Sequence, residues 1–150
     1  VTNEVVEKGK DRLYVTSRGK AFRYDRAYIM ESTAYDLSYQ STGKVPGDRY
    51  YGITRSGTRA RPGVVAVDPS LIPLGSKLYI ESRDYTNDYG FALAEDTGSA
   101  IQGNRIDLFI NDHNKAMRYG RRTVKVYVLE EQVPEDEIKG YSQRWIYGNN

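Results

Sequence analysis

The sequence predicts a mainly β domain that closes as a small barrel or sandwich, on three observations. Six short apolar runs are separated by glycine and proline, only one segment has helix character, and there is no internal repeat or low-complexity tract. The runs are Ala27–Met30, Val64–Val67, Lys77–Ile80, Phe91–Ala94, Ile106–Phe109 and Val124–Leu129. A barrel is the preferred closure, because it leaves no unpaired strand edge exposed. With 150 residues the chain has the size of one ordinary domain, enough for a core without disulfides, and it contains no cysteine.

Residues 1–26 are polar and read as an N-terminal arm or linker, with Leu13-Tyr14-Val15-Thr16 and Ala21-Phe22-Arg23-Tyr24 each able to form a strand. Three arrangements are open to such an arm: packing on its own domain, joining an upstream module, or exchanging with a second copy to give a homodimer. The domain proper is expected over 27–150. Within it, Ser41–Asp48 and Asp84–Gly90 are rich in turn formers. The helix is expected over Asn111–Tyr119, with a polar Asn-Asp start and Gly120 to end it. After Leu129 the chain turns acidic and polar, and Trp145 is expected to pin this tail to the body.

The formal net charge is +2 and the basic residues are dispersed, a pattern unlike the concentrated phosphate-neutralising stripe of a nucleic-acid binder. No stretch reaches the roughly 20 apolar residues that cross a bilayer as a helix. The start at Val1 leaves room for an export signal or anchor upstream. Fourteen tyrosines stand against three phenylalanines. Tyrosine joins a stacking face to a hydroxyl, which suits a carbohydrate groove, but it is also common at half-buried strand positions.

Chemistry concentrates in Ala94-Glu95-Asp96-Thr97-Gly98-Ser99-Ala100-Ile101-Gln102-Gly103-Asn104-Arg105-Ile106-Asp107-Leu108-Phe109. Asp96 ends an apolar run and enters a glycine-containing loop. Asp107 sits inside an apolar strand, where an unsupported carboxylate is costly to bury. Alternation puts it on the face opposite Ile106 and Leu108, toward either water or a groove. A third aspartate, Asp68, follows Val64–Val67 and precedes Pro69-Ser70, a sequence that also makes a good Asx-turn.

Together, Met30-Glu31-Ser32-Thr33-Ala34-Tyr35, Val64–Pro69 with Ile72-Pro73-Leu74-Gly75, Ala94–Gly98 and Arg105–Phe109 resemble the 3D domain, a family named for three aspartates that fall here on Asp68, Asp96 and Asp107. The resemblance runs from about residue 27 to 130 and is nearest to the stand-alone stationary-phase-survival proteins of the YuiC type. It implies a six-stranded double-psi β-barrel with short helices, related to the catalytic domain of membrane-bound lytic transglycosylase A and, distantly, to expansins. It further implies peptidoglycan glycan strands as the partner and an extracytoplasmic location at the cell wall. Asp107 would be the single catalytic acid and base at the bond between N-acetylmuramic acid and N-acetylglucosamine, leaving a 1,6-anhydro end. Asp96 and Asp68 would support it, as a second charge or by accepting loop N–H groups. Thr33 and Tyr35 would position the sugar, and Thr97, Gly98 and Ser99 would contact it.

Other readings use the same residues differently. Asp96-Thr97-Gly98-Ser99 also matches the signature of aspartic proteases, which need two such aspartates sharing a proton; one copy would require a symmetric dimer and would leave Asp107 unused. No cofactor or metal is expected, since His113 is the only histidine and no calcium-loop spacing is present. A module that binds the wall without turnover, or loosens it as expansins do, keeps the same barrel and groove.

Overall fold

The computed structural model describes residues 5–15 and 21–132. Among these, seven strands form one sheet: β1 (Val5–Val15), β2 (Ala21–Tyr35), β3 (Val64–Ala66), β4 (Ser76–Ser82), β5 (Gly90–Asp96), β6 (Arg105–Phe109) and β7 (Arg122–Gln132), with short helices α1 (Tyr39–Thr42) and α2 (His113–Tyr119). The strands neighbour one another in the order β1-β2-β6-β3-β5-β4-β7, and a further β2–β7 pairing closes the last six into a barrel. Pairing is mixed: β2 with β6 and β3 with β5 are parallel, the other contacts antiparallel. This is the six-stranded β-barrel that the sequence predicts, and all six apolar runs are its staves.

The core follows from alternation. Met30, Val65, Val67, Leu78, Ile80, Ala92, Ala94, Ile106, Leu108, Val124, Val126 and Val128 point inward and are buried together. Burying side chains of this kind stabilises the fold by about 1.5–3 kcal/mol each.

The two short pieces at Ala21–Tyr24 and Ala27–Met30 are one strand. Asp25 interrupts the apolar pattern, and the β2–β7 register shifts between Tyr24 and Arg26, where a bulge absorbs the extra polar residue. The upper half of β2 carries β1 on one edge, and its lower half exchanges that neighbour for β6.

The N-terminal strand packs on the chain's own barrel. Under it lies an aromatic cluster in which Tyr24, Tyr79, Phe91 and Tyr127 are buried, with Tyr14 and Phe22 packed against them. Tyr14 stacks on Tyr127 with ring centroids 4.6 Å apart. The hydroxyls find carboxylates at the rim: Tyr14 and Tyr127 both donate to Glu81, and Tyr79 donates to Asp88 at 2.6 Å. Four of the fourteen tyrosines are therefore spent on seating this hairpin rather than on a sugar groove.

Helix α2 starts two residues later than the sequence suggests, because Asp112 rather than Asn111 caps it, accepting from the Lys115 N–H at 2.9 Å. Helix α1, capped by Ser38, runs into the start of the turn-rich Ser41–Asp48 piece and was not expected from the sequence. Trp145 and the acidic tail lie outside the described residues.

Of the charged side chains buried among the described residues, Glu95 is the most fully enclosed. Glu95 on β5 is 0 % exposed, accepting from Thr58 Oγ1 at 2.6 Å and from both terminal nitrogens of Arg61 at 3.2 and 3.3 Å. A buried ion pair adds little net energy, but removing one partner strands the other charge. Thr58 and Arg61 belong to the loop between α1 and β3, so the pair fastens that loop to the end of β5. Arg61→Ala should lower the unfolding free energy by about 3 kcal/mol, read from urea denaturation at neutral pH; a loss under about 1 kcal/mol would mean that Glu95 is not held by this pair.

Candidate active site

The three-residue strand β3 brings the two central aspartates together. Ala66 pairs with Asp107 of β6 on one side and with Asp96 of β5 on the other. Its neighbours Val65 and Val67 face the barrel interior, so Ala66 faces outward, as Asp107 does opposite Ile106 and Leu108. A methyl group between the two carboxylates leaves a floor low enough for a cleft. The site thus lies on the outer wall of the barrel.

The parallel β2–β6 register adds the next layer. Thr33 is level with Asp107, and its hydroxyl donates to Asp107 Oδ1 at 2.9 Å. Two residues on, Tyr35 shares that face, lies edge-on against Phe109, and donates its hydroxyl to Asp96 Oδ2 at 3.1 Å. Asp96 Oδ1 accepts from the backbone N–H groups of Arg55 and Thr97, both at 2.9 Å. Burial, and then the adjacent Asp96 charge, push the Tyr35 hydroxyl well above its ordinary range, so it remains a donor.

Asp107 is half-buried in the cleft. Burial pushes its carboxyl up to about 6, with Asp96 adding to the rise, while the Thr33 hydrogen bond and the Arg105 charge act in the other direction. Near neutrality an appreciable fraction of Asp107 therefore holds a proton, on an acid that faces open space. That is the state a general acid requires.

Asp68 stands apart from this pair and does not line the cleft. Its Oδ2 accepts from the Gly103 N–H at 2.8 Å, and its Oδ1 from the N–H and hydroxyl of Ser70, which holds the carboxyl below the usual range. Gly103 takes a left-handed conformation, φ 64°, which suits glycine at this turn. Asp68 thereby anchors the far end of the loop that carries Thr97, Gly98 and Ser99 along one wall of the cleft. A Cβ on Gly98 would come within 3.1 Å of Ile101 Cγ1, so glycine lets the loop lie close to its own apolar anchor.

The cleft has a volume of about 240 Å³ and also draws on residues that the sequence did not single out. Ser41, Thr42 and Lys44, on and after α1, line it together with the 97–99 loop, and Leu37, Ile53 and Ile101 supply apolar surface. The α1 turn is set by the buried Asp36. Its Oδ1 accepts from the Ser38 N–H and the Ser41 hydroxyl, and its Oδ2 lies 2.8 Å from His113 Nδ1. The Asp-Leu-Ser spacing was readable as a local turn. The contact with His113, 77 positions away, had no local signature. Thr33, expected to position the sugar, lies beside the cleft with its hydroxyl on Asp107 Oδ1.

Residues 63–130 match the model of the 3D domain family. Two relatives come from Bacillus subtilis (strain 168). YabE, named for cell wall shaping, is 37% identical over 130 residues, covering 84% of this chain and 28% of that protein. YocH, named a cell wall-binding protein, is 52% identical over 66 residues, covering 44% of this chain and 21% of its own length. The chain thus spans less than a third of either relative. The crystal structure of MltA from E. coli superposes with a TM-score of 0.48 and 23% identity over 55% of this chain and 29% of that one. Asp68, Asp96 and Asp107 all fall inside residues 63–130, the segment of the chain that matches the 3D domain family.

Proposed function

We propose that this chain is a lytic transglycosylase of the bacterial cell wall, acting outside the membrane on the β-1,4 bond between N-acetylmuramic acid and N-acetylglucosamine in peptidoglycan strands. One observation carries the reading: Asp107 lies in an open cleft with its carboxyl raised to about 6. The family's cell-wall relatives supply the substrate class.

The reaction needs only one carboxyl to exchange protons. Asp107 gives its proton to the glycosidic oxygen as the bond from that oxygen to C1 of the muramyl residue breaks and positive charge develops on the ring. The resulting carboxylate takes the proton from the muramyl C6 hydroxyl, and O6 closes on C1. Asp107 ends protonated, no water is consumed, and the product is a 1,6-anhydro sugar. Ordinary glycosidases need a second carboxylate to activate water or to form a covalent intermediate. Asp96 serves differently here. Its oxygens are held by Tyr35, Arg55 and Thr97, and its charge raises Asp107 and favours the cationic ring. Thr33 occupies Asp107 Oδ1 and leaves Oδ2 to the substrate.

YocH, a cell wall-binding protein by name, favours a second reading in which the cleft holds glycan without cleaving it. Mass spectrometry of soluble products from purified peptidoglycan separates the two. The catalytic reading expects fragments lighter by one water than reducing hydrolysis products, and Asp107→Asn should cut their release at least about 100-fold while wall binding persists. Release of nothing by the unaltered chain, with binding intact, would establish the binding module instead.

The pH profile is a second check. Because the protonated form of Asp107 starts the reaction, kcat/KM should be level below about pH 6 and fall as pH rises through the Asp107 pKa, approaching tenfold per unit. The Thr33 hydrogen bond favours the ionised form, so Thr33→Val should move that falling limb to higher pH as well as slow the reaction. A limb that stays in place would show that another group governs the profile.

A further inference from the structure

Among the described residues, Lys44 is the one cationic side chain lining the cleft. Its ammonium donates to the Tyr50 carbonyl at 2.9 Å, which uses one of its three protons and neutralises none of its charge. Among the same residues it forms no ion pair with a carboxylate. Nor does Lys44 set the reacting group: the influences on Asp107 are burial, Thr33, Arg105 and Asp96. The cleft thus holds a pair of carboxylates and, on its α1 wall, a cation that no described carboxylate meets. Ser41 and Thr42 place hydroxyls on that same wall, and Asp36 fixes the turn that carries them. A neutral sugar ring asks only for such hydroxyls and apolar surface. A cation that lines a binding cleft and meets no carboxylate among the described residues is best matched by a ligand that brings a negative charge.

We propose that Lys44 is a specificity-determining residue that pairs with a carboxylate on the muramyl side of the substrate, so that the cleft selects an anionic glycan over a neutral one. The inference rests on the cleft being the glycan site proposed above. That carboxylate has two sources: the lactyl ether of muramic acid where the stem peptide has been removed, or the stem peptide itself where it is present.

The test uses the whole chain and three soluble ligands: peptide-free glycan strands, peptide-bearing strands, and neutral N-acetylglucosamine oligomers. Kd is measured for all three, and kcat and KM for product release from the strands. Lys44→Gln, which can still donate to the Tyr50 carbonyl, should raise Kd and KM about three- to tenfold on a carboxylate-bearing strand. It should leave kcat and oligomer binding unchanged, and Lys44→Arg should restore affinity. An effect confined to peptide-free strands assigns the lactyl carboxylate, and one confined to peptide-bearing strands assigns the stem peptide. Equal losses on all three ligands, or no loss on any, would overturn the proposal. Absence of turnover by the unaltered chain would sink the transglycosylase reading alone, since the binding isotherms decide the role of Lys44 without it.

Discussion

The site depends on Ala66 standing between Asp96 and Asp107. Two parallel pairings, β2 with β6 and β3 with β5, and the antiparallel pairing of β3 with β6 fix this register. Neighbouring strands lie about 4.8 Å apart, so the backbones carrying the two carboxylates are about 10 Å apart across one small residue. At that separation Asp96 can raise the proton affinity of Asp107 without a direct hydrogen bond between them. A larger residue at Ala66 would fill the cleft floor, and a slip of one residue in β6 would turn Asp107 into the apolar interior.

Outside this frame, the site is held by groups that touch no reacting atom. Glu95 is buried with its charge satisfied by Arg61 and Thr58, which draws the 54–61 loop onto the end of β5. The Arg55 N–H reaches Asp96 from that same loop. Asp68 does for the 97–103 loop what Glu95 does for this one, and Asp36 does it for the α1 turn. In each case a carboxylate accepts several donors, so a loop that has little apolar surface to bury is ordered by directional bonds instead. Asp107 is the contrast, because one hydrogen bond and the charge of Arg105 do not offset its burial.

The aromatic face under β1 shows how composition misleads without position. Tyr14, Tyr24, Tyr79 and Tyr127 suggested a sugar-binding surface only as a count; in the fold they bury their rings beneath the hairpin and place hydroxyls on Glu81 or Asp88 where these lie in reach. Among the described residues, Tyr35 is the tyrosine that lines the cleft. Its distinction is its position two residues beyond Thr33, on the stretch of β2 that pairs with β6.

The six staves of the barrel, the helix before Gly120 and the three aspartates were legible in the chain itself. Alternation of apolar residues, turn formers and caps are local properties that survive without knowledge of neighbours. The bulge at Asp25, which joins two apparent strands into one, was not legible, because it is defined by the register against β7. Neither were the partners of Glu95, the contact of Asp36 with His113, nor the place of Lys44 in the cleft wall. Those contacts join residues tens of positions apart, and their spacing follows from barrel closure rather than from any short pattern. The sequence by itself determined which residues could be acids and which runs had to be strands. The tertiary structure decided which aspartate has its proton affinity raised, because desolvation and the field of nearby charges are properties of the assembled site.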